Sequence, residues 1–187
     1  ISFAFVWTIA TRPFGAEIAA RRLVQAGWSD LAETASGRHR DDHERLAGRM
    51  LDRLGQLVPR LAMVDDVELA KVDGFAEVRV GFNIVELQKT RRELKDEART
   101  AVDGVLASLT GLYRARAARR RFIAPSEQLC AALDDALRLI VPEEGGVARR
   151  TLDALVGLRR ALFPDVPGPT GGFAPKHPDQ PTLLAAE

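Results

Sequence analysis

Between Gly15 and Leu162 the apolar residues of this chain return every three or four positions, so a compact structure must be built from helices packed stripe to stripe. Ala20, Val24, Trp28, Leu31 and Ala35 form one stripe, on a helix expected from about Gly15 to Ala35. Ser36-Gly37 should end it, because glycine accepts the left-handed conformation of a helix terminus. Asp41 or Asp42 can cap a second helix carrying Leu46, Met50, Leu54, Leu57 and Leu61, and Pro59 should loosen its last turn. A third segment opens at Asp65 or Asp66. There Val78, Val80, Phe82 and Ile84 alternate as in a strand, whereas Phe75, Val78, Phe82 and Val85 fit a helix. The richness in Glu, Lys, Arg and Leu from Val67 to Leu94 decides for one helix.

A fourth helix is expected from Asp96 to Arg120, with Ala98, Val102, Val105, Leu109 and Leu112 on one face. Pro125-Ser126 starts a fifth through Leu129, Leu133, Leu137 and Ile140. Pro142 and Gly145-Gly146 separate it from a sixth, Val147 to Leu162. Short connections between such helices imply a mainly α fold, an antiparallel bundle of about six helices spanning residues 12–163.

The two ends read differently. Residues 1–11 open with ISFAFVWTIA, taken as a short strand because Val, Ile, Phe, Trp and Thr favour strands; the end of a membrane helix is the alternative. Arg12-Pro13 should part this segment from the bundle. The chain begins at Ile, so it is read as a piece of a longer protein. No apolar run approaches the ~20 residues of a spanning helix, and no basic leader or cleavage site marks a signal peptide. From Pro164 to Glu187 proline and glycine dominate, and a disordered tail is expected.

Composition narrows the function classes. With 27 Lys and Arg against 26 Asp and Glu, the charge of +1 sets up no overall field that would recruit nucleic acid. The single Cys130 excludes an intrachain disulfide and reads as a buried, inert thiol. His39 and His43 straddle a helix start beside Asp41, Asp42 and Glu44, which is not the mid-helix pattern of a metalloprotease. His177 and the glycines of GPTGG lie in the tail, away from any catalytic set or phosphate loop. No catalytic residue, cofactor or metal is therefore expected.

Two arginine groups stand out. Arg114, Arg116, Arg119, Arg120 and Arg121 read as a solvated helix C-terminus; anionic lipid is the second reading and nucleic acid phosphate the third. Arg49, Asp52, Arg53 and Arg60 suggest partly buried pairs between helices, which fix register more than they stabilise.

RMLDRLGQLVPRL (Arg49 to Leu61, with Pro59), GFAEVRVGFNIVELQ (Gly74 to Gln88, with Arg79 and Gly81) and LVGLRRALFPD (Leu155 to Asp165, with Arg159) resemble stretches of bacterial fusaric acid resistance and aromatic acid exporter proteins. RPFGAEIAARRLVQAGWSDLAETASGR (Arg12 to Arg38) is similar to the segment where that family's chain leaves the membrane. The resemblance implies the cytoplasmic C-terminal domain of a proton-driven-type efflux transporter at the bacterial inner membrane. Such transporters export aromatic carboxylic acids or related toxic compounds. It implies a role in assembly or gating and no transport or enzymatic activity by the fragment itself. Its partners would be the transporter's own membrane domain, other cytoplasmic segments, further copies of itself and anionic lipid, without nucleic acid. Arg12, Arg21 and Arg22 agree with the positive charge expected at a cytoplasmic exit. The competing reading is a free-standing helical regulatory module that binds an acidic partner.

Overall fold

The computed structural model describes residues 2–38, 43–61 and 66–167. These contain seven helices: α1 (Ser2–Ala35), α2 (His43–Leu61), α3 (Val67–Ala70), α4 (Gly74–Thr90), α5 (Asp96–Arg119), α6 (Glu127–Ile140) and α7 (Gly146–Leu162). The mainly α bundle is as expected, and Val78 to Ile84 are helical.

Four expectations are corrected. The N-terminal segment is not a strand, since its backbone continues α1 from Ser2. A helix satisfies its N–H and C=O groups within itself, whereas a strand needs a neighbour, and the described residues contain no other strand. Arg12-Pro13 does not break the pattern either; Pro13 removes one N–H from the ladder without ending the helix. The third segment is two helices. Asp66 caps α3 by accepting from the N–H groups of Glu68 and Leu69, and Asp73 restarts the chain as α4 by accepting from Phe75 and Ala76. Finally, the chain keeps a defined course through Pro167, beyond the expected boundary at Pro164. The rest of the tail, including His177, and His39, Asp41 and Asp42 lie outside the described residues.

Helix ends follow their local chemistry. Gly37 closes α1 at φ 71°, and its N–H bonds to the Thr34 carbonyl. Ser126 caps α6 through Oγ. Pro59 stays inside α2, which runs on to Leu61.

Side-chain bonds set the helix directions. Trp28 meets Glu77, and Gln88 reaches the carbonyls of Thr34 and Ala35, so α1 and α4 run parallel. Glu77 meets Arg116 and Arg91 meets Asp103, which makes α5 antiparallel to both. Asn83 lies against Gly157 and Glu86 against Arg150, so α7 is antiparallel to α4. The most extensive packing is α4 on α7 and α1 on α5. Gly157 permits the first contact, since a Cβ there would stand 2.5 Å from Asn83 Nδ2. Gly81 allows α4 to approach Met50 and Leu31 in the same way. One continuous core results, with Leu31, Ile84, Leu109, Leu133 and Leu155 fully buried.

Candidate functional site

Inside that core lies a charged cluster. Arg116, on the inner face of α5, is only 2% exposed, and Tyr113 one turn earlier is 0% exposed. The Arg116 guanidinium is held between aromatic rings, 5.1 Å from the Tyr113 centroid and 4.4 Å from that of Phe122. Its Nε donates to the Ile123 carbonyl at 2.9 Å, and Nη1 donates to Glu77 Oε1 at 2.8 Å. Trp28 Nε1 donates to the same carboxylate oxygen at 3.4 Å. Three helices, α1, α4 and α5, are thereby tied through one carboxylate.

The cluster is not fully satisfied. Glu77 Oε2 and the Tyr113 hydroxyl are buried and make no hydrogen bond of normal geometry, although the two groups lie close enough to influence each other. Both residues line a cleft of about 260 Å³, whose rim carries Lys71, Asp73, Arg79 and Arg160. On its other side Glu77 borders a smaller apolar hollow of about 50 Å³ between α1, α2 and α4, where Trp28, Met50 and Leu57 are also found. Burial pushes the Glu77 carboxyl above its ordinary value of 4.5, and the Arg116 charge opposes this without cancelling it. Burial also carries the Tyr113 hydroxyl well above its ordinary 10.0. The chemistry available to this arrangement is uptake and release of a proton at Glu77.

That has a measurable consequence. A carboxyl whose value rises on folding holds its proton more tightly in the native chain than in the unfolded one. Its contribution to stability is therefore present in acid and lost as pH rises from the ordinary value through the raised one. Glu77→Gln, which cannot titrate, should remove that downward slope from a plot of unfolding free energy against pH. Parallel curves for the two proteins would show that Glu77 titrates as an ordinary glutamate.

The second polar junction uses residues the sequence singled out. Arg53 donates to Asp30 Oδ2 at 2.5 Å and Arg49 to the same oxygen at 3.4 Å, joining α2 to α1. The expected inter-helix pair is there, but its acid is Asp30. Asp52 instead accepts from Gln56 Nε2, and Arg60 donates to the Gln56 carbonyl of its own helix. Arg79 is exposed and faces Asp73 at 3.8 Å. Arg159, 6% exposed, forms the third junction. It donates to Asp134 Oδ1 at 3.0 Å on α6 and to the carbonyls of Phe163, Val166 and Pro167. Cys130 is half-buried, less enclosed than expected, with Sγ 4.0 Å from Asp134.

The model of the fusaric acid resistance protein family matches residues 1–168. The chain belongs to the fusaric acid resistance protein family. A search of curated proteins and one of solved structures found no match to it. Members of this family are membrane-associated proteins of efflux, a transport class and not an enzymatic one. No helix among the described residues is long and apolar enough to cross a membrane.

The basic run of this family member is corrected at one position. Arg114, Arg119, Arg120 and Arg121 are exposed, but Arg116 points into the core and belongs to the buried cluster. Helical geometry explains the division: Tyr113 and Arg116 share the inner face with Leu109, while Arg114 and Arg119 do not. Glu77, Asp30 and Asp134 went unnoticed in the sequence, and Trp28 was read only as part of the apolar stripe of α1. Glu77 stands 49 residues from Trp28 and 39 from Arg116, so no local spacing betrays it. The available signal was a lone acid one position before Val78 on an otherwise apolar face.

Proposed function

We propose that this chain is the cytoplasmic C-terminal domain of an inner-membrane efflux transporter that exports aromatic carboxylic acids or related toxic compounds. Its role is in assembly or gating of the membrane part. The observation that carries this reading is the family match across residues 1–168 in a chain whose described helices are too short or too polar to span a bilayer. The helix junctions support it. Arg53 and Asp30 lock α2 to α1, the helix that leads back to the apolar opening, so strain applied there reaches the bundle through packed and bonded groups.

Arg53→Ala in the full-length transporter tests this. The pair is part-buried, and losing about 1–2 kcal/mol of stability changes cellular abundance several-fold. Abundance in the membrane should fall, with a matching loss of resistance to aromatic acids. Normal abundance with lost export would instead give Arg53 a direct ligand or gating role. Full resistance at normal abundance would remove this junction from the account.

A further inference from the structure

The cleft over the buried cluster carries charge that the chain's own contacts do not use up. Its rim holds the cations Lys71, Arg79 and Arg160 against one acid, Asp73. Asp73 is engaged: Oδ1 accepts from the N–H groups of Phe75 and Ala76, and Oδ2 faces Arg79 at 3.8 Å. Lys71 Nζ meets Glu68 Oε1 at 2.6 Å. Arg160 is exposed and forms no ion pair among the described residues. A guanidinium at the mouth of a cleft suits a carboxylate, which it can hold through two parallel N–H donors.

Below the rim the walls are apolar, with Phe122, Pro125, Ala161 and Leu162 half-buried around the opening. Deeper still lie Tyr113 and Glu77, whose hydroxyl and Oε2 make no hydrogen bond of normal geometry. Buried polar atoms left unpaired are costly, and a ligand hydroxyl at that depth would supply a partner. The cleft thus presents a cation, an apolar wall and a polar floor in that order. At about 260 Å³ it stands near the small end of small-molecule sites and is too small for a peptide or a nucleic acid strand.

We propose that this cleft binds a small organic anion, with its carboxylate on Arg160 and Arg79, its apolar body against Phe122 and Leu162, and a terminal hydroxyl at the floor formed by Tyr113 and Glu77. The proposal goes beyond the transporter reading, which assigns this domain no ligand. Inorganic phosphate fits less well, because it leaves the apolar walls uncovered and brings a more highly charged anion toward Asp73 and Glu77. Arg79 and Arg160 also border a second hollow, of about 420 Å³, over Phe82, Asn83 and Gly157. That hollow holds neither of the unpartnered atoms, so it gives no reason to prefer a hydroxy acid.

The test is an NMR titration of the full chain that follows its backbone amides. The probes are butanoate, hexanoate and octanoate, their ω-hydroxy derivatives, hexanamide and inorganic phosphate. The acids should shift the amides of Phe122, Ala161 and Leu162. The hydroxy acid whose length spans the cleft should bind more tightly than the plain acid of that length. Hexanamide and phosphate should bind about ten-fold more weakly than the acids, or less. Arg160→Gln alters an exposed position and should keep the fold, as circular dichroism will show. It should weaken the acids on the order of ten-fold, through loss of a charge-assisted hydrogen bond. Tyr113→Phe should erase the preference for the hydroxy acid; if that variant unfolds, the comparison of plain and hydroxy acids on the wild type decides the same point. Phe82→Ala should leave binding unchanged. Absence of saturable shifts, equal binding of hexanamide or phosphate, no preference for any hydroxy acid, or an Arg160→Gln variant that binds like the wild type would overturn the proposal. So would shifts confined to Phe82 and Gly157 or a loss with Phe82→Ala, either of which seats the anion in the second hollow. These failures leave the transporter reading standing, because that is decided by membrane abundance and resistance of the Arg53→Ala transporter.

Discussion

Arg116→Ala should destabilise the folded chain by about 3–5 kcal/mol, because it removes one partner of a buried ion pair and leaves the other in place. Glu77 would lose its shortest hydrogen bond, the Ile123 carbonyl would lose its donor, and the rings of Tyr113 and Phe122 would lose the layer between them. Urea unfolding measures this directly as a lowered midpoint. Two comparisons separate charge from packing. Arg116→Met together with Glu77→Gln removes both charges while keeping volume, and should recover much of the loss. The cost of Arg116→Ala should also shrink toward acidic pH, where Glu77 takes up its proton and the stranded charge disappears. A midpoint unchanged at neutral pH would mean that the cluster is solvated and contributes no cohesion. Arg119→Ala, three residues later but exposed, should by contrast alter stability by no more than about 0.5 kcal/mol.

Arg159→Ala is expected to cost about 3 kcal/mol or more and to release the chain after α7. Its guanidinium serves Asp134 on α6 and three carbonyls between Phe163 and Pro167, and its carbon lies 5.3 Å from the Phe163 ring centroid. Arg159→Lys should not rescue it, since a compact ammonium cannot span four acceptors that a planar fork reaches together. Limited proteolysis should then cut the variant between Phe163 and Pro167 faster than the wild type, alongside the lowered unfolding midpoint. Unchanged cleavage with reduced stability would assign the residue to the α6–α7 contact alone.

Helical periodicity made most of the bundle legible from the residues. The stripe of α6, Leu129, Leu133, Leu137 and Ile140, is buried as its spacing implied, and in α2 Leu46, Met50 and Leu57 face inward. Capping chemistry was also readable at Gly37, Asp66 and Ser126. These features depend on neighbours within one turn, which a sequence displays directly. Composition misled at the N-terminal segment, where β-branched and aromatic residues suggested a strand; with no strand to pair with among the described residues, helix from Ser2 onward was the form that satisfied the backbone. The site was read only in part. Arg49, Arg53 and Arg159 were visible as arginines placed to pair, but Asp30 and Asp134 as their acids were not. Arg116 was read as one of a run of surface arginines, and Glu77 sat unnoticed on the inner face of α4.

Residue order alone therefore determined the helices, most of their ends, the apolar faces and the family. Tertiary structure decided which charges are buried and which acid each arginine meets. The physical reason is range. Helix formation and capping act between residues a few positions apart, whereas burial and ion pairing depend on groups dozens of residues distant that meet only when α1, α4 and α5 pack together.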